Sequence, residues 1–153
     1  MNEQTISKQR EVRNAYYQEY LSTETIEIEG VVETLAETSK YVRMAIVTTA
    51  KRADFEIIRE KRQIRQFMEF ILVREDYELT KPHPEPYLTA LRRFGATKQE
   101  TLVIEDSNRG LNSAVATGIE CAIVHNEFTK THDFSQASYR IKTLIELKDI
   151  ILL

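Results

Sequence analysis

Thr101-Leu-Val-Ile-Glu-Asp-Ser-Asn-Arg-Gly-Leu-Asn-Ser-Ala-Val-Ala-Thr-Gly118 is the stretch around which the chain is organised. Leu102, Val103 and Ile104 form a short apolar run that reads as a buried strand. Two acids follow at once, Glu105 and Asp106. Ser107 is placed to cap a helix whose inner face carries Leu111, Ala114 and Val115, and Gly118 ends it. A strand that ends in carboxylates and turns into a helix sets those acids at the carboxyl edge of a parallel sheet, where open α/β sheets bind ligands.

The stretches on either side repeat the pattern. Upstream, Val42 to Val47 reads as a strand ending in two hydroxyls, Thr48 and Thr49, before a helix that starts near Lys51 and carries Phe55, Ile57 and Ile58. The start of that helix favours an anion, and Thr49 is placed either to add a donor or to cap the helix. Phe70 to Val73 reads as a third strand and leads to Lys81-Pro82-His83-Pro84-Glu85-Pro86-Tyr87. The prolines fix a turn and then permit a helix with Tyr87, Leu88, Leu91 and Phe94 inside, stopped by Gly95. Lys81 is thereby pinned just past a strand as a phosphate candidate. Downstream come a strand over 121–125, a polar loop over 126–138, a short strand over 139–141 and an apolar tail helix over 144–153.

The N-terminal part is different. Residues 3 to about 21 read as a polar helix with a narrow apolar stripe of Val12, Ala15, Tyr16 and Tyr20. Thr25 to Glu29 alternates like a half-buried strand or an extended linker. Gly30 opens a helix expected to turn Val31, Val32 and Leu35 inward.

A length of 153 residues suits one domain with a real core, and 42% hydrophobic content argues against disorder. The net charge of -3 with interspersed signs carries no nucleic-acid footprint. With no leader and no long apolar segment, a soluble cytoplasmic protein is expected, away from membranes. Cys121, the single cysteine, sits in an apolar run and reads as a buried, reduced thiol. His83, His125 and His132 lack metal-ligand spacing and read as structural or surface residues. Alternating strands and helices predict an α/β fold, a parallel sheet with helices on both faces. Its carboxyl edge would gather Thr48-Thr49, Lys81 and Glu105-Asp106.

Hydroxyl, then Lys-Pro, then Glu-Asp-Ser-x-x-Gly, in that order, resembles the haloacid dehalogenase-like (HAD) hydrolase superfamily, nearest its phosphoglucomutase/phosphoglycolate phosphatase branch. A receiver domain uses similar groups, but there the acids come first in the chain. The resemblance implies a HAD-like Rossmannoid core over 29–153, with 1–28 as the remnant of a helical cap and its return linker. It implies that Thr48 donates to a phosphoryl group, that Lys81 neutralises phosphate and nucleophile, and that Asp106 with Glu105 holds Mg²⁺, while Thr49 is a further phosphate-binding candidate from its place before the helix. The substrate class it implies is a small phosphorylated metabolite.

The departure lies at the start. Family members begin with an apolar strand ending in Asp-x-Asp-x-Thr/Val, whose first Asp is the nucleophile and second the acid/base. This chain begins at Met1 inside what would be the cap, so the first core strand and most of the cap are expected to be missing. Ile71-Leu72-Val73-Arg74-Glu75-Asp76-Tyr77-Glu78-Leu79-Thr80 superficially mimics that strand and motif, at the wrong place immediately before Lys81. The expectation is a truncated phosphatase, inactive as this chain alone, with a weakened Mg²⁺ site. The alternative is a non-catalytic binding or oligomerising module. The missing strand would lie between the strands before Thr48 and Glu105. The gap is expected to be filled by Thr25–Glu29, filled by a partner chain such as a second copy, or closed by direct pairing of its edges.

Overall fold

A computed structural model describes residues 3–24 and 28–151. Its helices are α1 (Glu3–Thr23), α2 (Val31–Thr38), α3 (Arg52–Lys61), α4 (Glu85–Phe94), α5 (Asn108–Thr117) and α6 (Leu147–Ile151). Its strands are β1 (Ala45–Val47), β2 (Phe70–Leu72), β3 (Leu102–Glu105), β4 (Glu120–Val124) and β5 (Tyr139–Ile141). All strand pairs are parallel, with helices packed on them, as the alternation of elements predicted.

The strands do not form one sheet. β1 pairs with β2, and β3-β4-β5 form a separate three-stranded sheet. The apolar interior is divided accordingly. Tyr87, Leu91, Val103, Leu111 and Ile123 cluster on one face of the larger sheet, while Phe70, Leu72 and Ala90 cluster against β1 and β2. A third group, Ala122, Ile141 and Leu147, covers the far face of the larger sheet. Helix α4 joins the halves, placing Tyr87 and Leu91 in one cluster and Ala90 and Phe94 against the other.

Between β1 and β3 lies a groove of about 1370 Å³ lined by both strands and by Tyr87, Ala90 and Leu91. Direct pairing of the two edges is therefore corrected: among the described residues, β1 pairs only with β2 and β3 only with β4. Thr25–Glu29 is corrected in part. Ile28 and Glu29 form a bend before α2, with the Val31 N–H donating to the Ile28 carbonyl, and residues 25–27 lie outside the described residues.

Local expectations hold at the punctuation and shift at the edges. Ser107 caps α5 by accepting from the Gly110 N–H, and Gly95 and Gly118 end their helices at φ 63° and 73°, a left-handed geometry that glycine adopts without penalty. The strand expected over 42–47 is confined to Ala45–Val47, and the tail helix is a short 3-10 turn plus α6. Val32 and Val115 face outward rather than inward. The stripe on α1 is exposed at Val12, Tyr16 and Tyr20. Leu21 is the buried residue of that helix, and Gln18 bonds Asp54 of α3.

Leu111 is 1% exposed at the centre of the largest cluster. Leu111→Ala is expected to lower stability by about 2–5 kcal/mol in urea unfolding, through lost burial and the cavity left behind.

Candidate functional site

The carboxyl ends of β1 and β3 meet at one side chain. The Lys81 Nζ donates to the carbonyl of Val47, the last residue of β1, at 3.1 Å, and to Glu105 Oε1, at the last residue of β3. Both side chains of the ion pair are only 9% exposed, so the pair is nearly dry. Such a pair is held by geometry, because each charge has lost its water. Lys81 is placed by the loop before α4, where the Lys81–Pro82 peptide is cis, and Arg109 of α5 donates to the Lys81 carbonyl.

Every oxygen of Glu105 is occupied. Oε1 also accepts from the Tyr87 hydroxyl at 2.7 Å, and Oε2 accepts from the Asp106 N–H and the Ser107 hydroxyl. Burial alone would raise the Glu105 carboxyl. The Lys81 ammonium outweighs it, with help from Tyr87 and the Asp106 N–H, and holds the carboxyl below the ordinary glutamate range. The Tyr87 hydroxyl is pushed far up, first by burial and then by the neighbouring carboxylate, so it remains a donor. The Lys81 Nζ also lies 4.7 Å from the centre of the Tyr87 ring. Cys121 is a buried free thiol, and burial pushes it up to about 12, which fits a structural group.

Asp106 differs sharply from its neighbour. It is exposed, and its Oδ2 accepts from Asn126 Nδ2 at 3.1 Å. Asn126 also organises the following loop by accepting from the N–H groups of Phe128 and Thr129. Thr48 is anchored through its carbonyl, which accepts from the Tyr77 hydroxyl, while its Oγ1 accepts from the Ala50 N–H at 3.1 Å.

Thr48 and the Glu105–Asp106 pair thus follow the carboxyl ends of strands in two separate sheets, and Lys81 bridges those ends rather than lying on the edge of one sheet. Glu105, however, is committed to Lys81 rather than open beside Asp106. Thr49 is exposed and does not cap the next helix, since Lys51 holds the N-cap position without a side-chain cap bond. Asp76 is tied into a turn, accepting from the Val73 N–H at 2.8 Å and from Arg52 at 2.7 Å. Its resemblance to a nucleophile motif is therefore one of sequence only. Among the described residues, no group of three or more His, Cys, Asp or Glu is arranged to hold a metal.

Sequence reasoning missed Tyr87, Asn126 and the role of Gly110. Tyr87 reads as one more apolar position of α4, and nothing in the pattern shows its hydroxyl reaching the strand end. Gly110 could have been read from the Glu-Asp-Ser-x-x-Gly spacing, because one helical turn past Ser107 it faces the acid. A Cβ there would overlap the Glu105 carboxylate.

The sequence model of the haloacid dehalogenase-like hydrolase family matches residues 1–124. The chain belongs to that family. It is 34% identical over 106 residues to protein CbbY of Rhodobacter capsulatus, covering 67% of this chain and 47% of that protein. It is 29% identical over 123 residues to pyrophosphatase PpaX of Bacillus cereus, covering 80% of this chain and 55% of PpaX. The crystal structure of CbbY from Rhodobacter sphaeroides in complex with phosphate superposes with a TM-score of 0.79 at 22% identity, over 90% of this chain and 65% of that one. The fold is thus that of the HAD-like hydrolases. The chain spans about half the length of the curated relatives it matches.

Glu105→Gln leaves Lys81 buried without a counter-charge, so it is expected to cost about 3–5 kcal/mol in urea unfolding at pH 7. Because the folded Glu105 carboxyl lies below its unfolded value, its contribution is complete above that unfolded value, about pH 4.3, and is lost as pH falls through the folded one. The stability difference between wild type and variant should therefore shrink when the unfolding series is repeated toward pH 3.

Proposed function

We propose that this chain is the phosphate-holding and Mg²⁺-holding part of a HAD-like phosphomonoester phosphatase or phosphomutase. The observation that carries the reading is the Lys81 ammonium, fixed between the Val47 carbonyl, one residue before Thr48, and the Glu105 carboxylate, one residue before Asp106. A phosphoryl group there would meet a cation and a hydroxyl donor already in position, which is the main requirement of phosphoryl transfer. Lys81 neutralises the phosphate oxygens, Thr48 donates to one of them, and Glu105 with Tyr87 holds Lys81 in place. Thr49, at the solvent edge, is the outer phosphate contact.

The donor set suits Mg²⁺ through one carboxylate. Mg²⁺ keeps several waters and needs only one or two protein carboxylates beside the phosphate. Asp106 is exposed and carries only the Asn126 amide on Oδ2, so it is the ligand. Glu105 could join only by giving up hydrogen-bond partners, Lys81 and Tyr87 on Oε1 or the Asp106 N–H and Ser107 on Oε2. When bound, the ion supplies charge neutralisation to the phosphoryl oxygens.

The sequence of residues 1–153 contains no Asp-x-Asp behind an apolar strand, so no aspartate stands ready to take the phosphoryl group. We therefore expect binding without turnover from this chain alone. Residues 1–28 serve as a remnant of the cap and its return linker, with 29–153 as the core. The relatives support the substrate class: CbbY of Rhodobacter sphaeroides is solved with phosphate and, as a mutant, with Xylulose-(1,5)bisphosphate. Among the described residues no helix is long and apolar enough to cross a membrane, and a cytoplasmic setting fits the lone thiol. The second reading, a non-catalytic binding or oligomerising module, is favoured by one observation: among the described residues, β1 pairs only with β2 and β3 only with β4.

With Mg²⁺ and p-nitrophenyl phosphate, hydrolysis by the chain and by Asp106→Ala should both stay at background. Inorganic phosphate should shift the amide resonances of Thr48, Thr49 and Ala50. The apparent Kd should rise about ten- to hundredfold in Lys81→Met, and also measurably in Thr48→Val, as charge-assisted and neutral hydrogen bonds are lost. Turnover that disappears in Asp106→Ala would show a nucleophile inside this chain. Phosphate that leaves those amides unmoved would remove the site reading altogether.

A further inference from the structure

Asp106 lies one residue past the end of β3 and is exposed, so the strand alone leaves its carboxylate free to turn. What holds it comes from the neighbouring strand. β3 and β4 are parallel, with Glu105 opposite Ile123, so the chain leaving β4 emerges beside the chain leaving β3. β4 stays bonded on its other side as far as the His125 N–H, which donates to the Ile141 carbonyl of β5. Asn126 follows directly and therefore stands on a rigid base.

The Asn126 side chain works in two directions. Its Oδ1 accepts from the N–H groups of Phe128 at 2.9 Å and Thr129 at 3.0 Å, and its Nδ2 donates to Asp106 Oδ2 at 3.1 Å. This dictates which way the amide faces. Reversed, its NH₂ would meet two N–H donors and its carbonyl oxygen would meet a carboxylate. With Oδ2 taken, Asp106 Oδ1 is left without a hydrogen-bond partner among the described residues, whereas both oxygens of Glu105 are engaged. Further along, Asn108 Nδ2 donates to the Asp133 carbonyl at 2.6 Å, and Phe134 is buried in the core. The loop over 126–133 is thus fastened at both ends to the turn that carries Asp106, and it is the Asn126 end that reaches the carboxylate.

We propose that Asn126 is a positioning residue for the carboxylate that takes Mg²⁺. It grips Asp106 by Oδ2 and so presents Oδ1 to the ion before the ion arrives. The inference rests on the reading of Asp106 as the ligand and adds the group that orients it. Without the amide, the carboxylate has to be ordered at the expense of binding. Hydrogen-bond partners of ligating carboxylates account for about ten- to hundredfold in metal affinity, and an exposed site such as this one belongs at the low end.

The full isotope-labelled chain is titrated with magnesium chloride, and the apparent Kd is read from the Asp106 and Ser107 amides. Asn126→Ser keeps an oxygen that accepts from backbone N–H groups further along the turn but is too short to reach Asp106. Its Phe128 and Thr129 amides should hold their positions, while the Kd for Mg²⁺ rises about tenfold. Asn108→Ala frees the far end of the loop and should leave that Kd where it is. An unchanged Kd in Asn126→Ser overturns the proposal. So does an equal rise in Asn108→Ala, which would assign the effect to the loop as a whole. A rise in Asn126→Ser with the Phe128 and Thr129 amides already displaced before any ion is added overturns it too. A wild-type chain whose Asp106 and Ser107 amides ignore Mg²⁺ removes both this proposal and the Mg²⁺ part of the reading above. The phosphate shifts at Thr48, Thr49 and Ala50 are read separately, so the two failures are distinguishable.

Discussion

A single buried ammonium sets the terms for this structure. Lys81 reaches from the loop before α4 to the end of β1 through the Val47 carbonyl and to the end of β3 through Glu105. Two charges this dry are stable only as a pair, so the carboxyl ends of β1 and β3 are tied together through Lys81. In the phosphatase reading proposed above, the same contact would also fix the cation that meets phosphate. Structural and chemical demands therefore fall on the same atoms, and Tyr87, Ser107 and the bare Cα of Gly110 serve both by shaping the space around Glu105.

Above that contact the sheet is divided. A parallel sheet with helices on both faces ordinarily buries one continuous core. Here the apolar residues separate into clusters on either side of the groove, and α4 spans them with alternate faces of one amphipathic helix. This division explains how an α/β core can keep its carboxyl edge assembled while its centre stays open. It also explains why Ile104, a strand residue, retains solvent exposure that a completed sheet would remove.

Much of this was legible in the sequence because it rests on local chemistry. Ser107 as an N-cap, Gly95 and Gly118 as left-handed stops, and short apolar runs followed by polar residues each follow from short-range rules, and the structure bears them out. The order hydroxyl, lysine, acids also pointed to the strand ends that Lys81 bridges, although those strands belong to two sheets rather than one. What was not legible depends on through-space partners. Glu105 and Asp106 are adjacent in sequence, yet one is sealed behind Lys81 and Tyr87 and the other lies open beside Asn126. Val32 and Val115 sit at apolar helical spacing but face outward, because periodicity assigns a stripe and not the element that covers it. The gap between β1 and β3 could be anticipated from the missing motif. That its edges would stand apart rather than close together depends on α4 holding both halves, which no local pattern encodes.

The most direct test is a carbon-detected pH titration of the Glu105 side-chain carboxyl, in wild type and in Lys81→Met. If Lys81 neutralises Glu105 across the divided sheet, the wild-type carboxyl titrates below the ordinary glutamate range, and the substitution moves it upward because burial is then less opposed. A carboxyl that titrates in the ordinary range in both proteins would contradict the account.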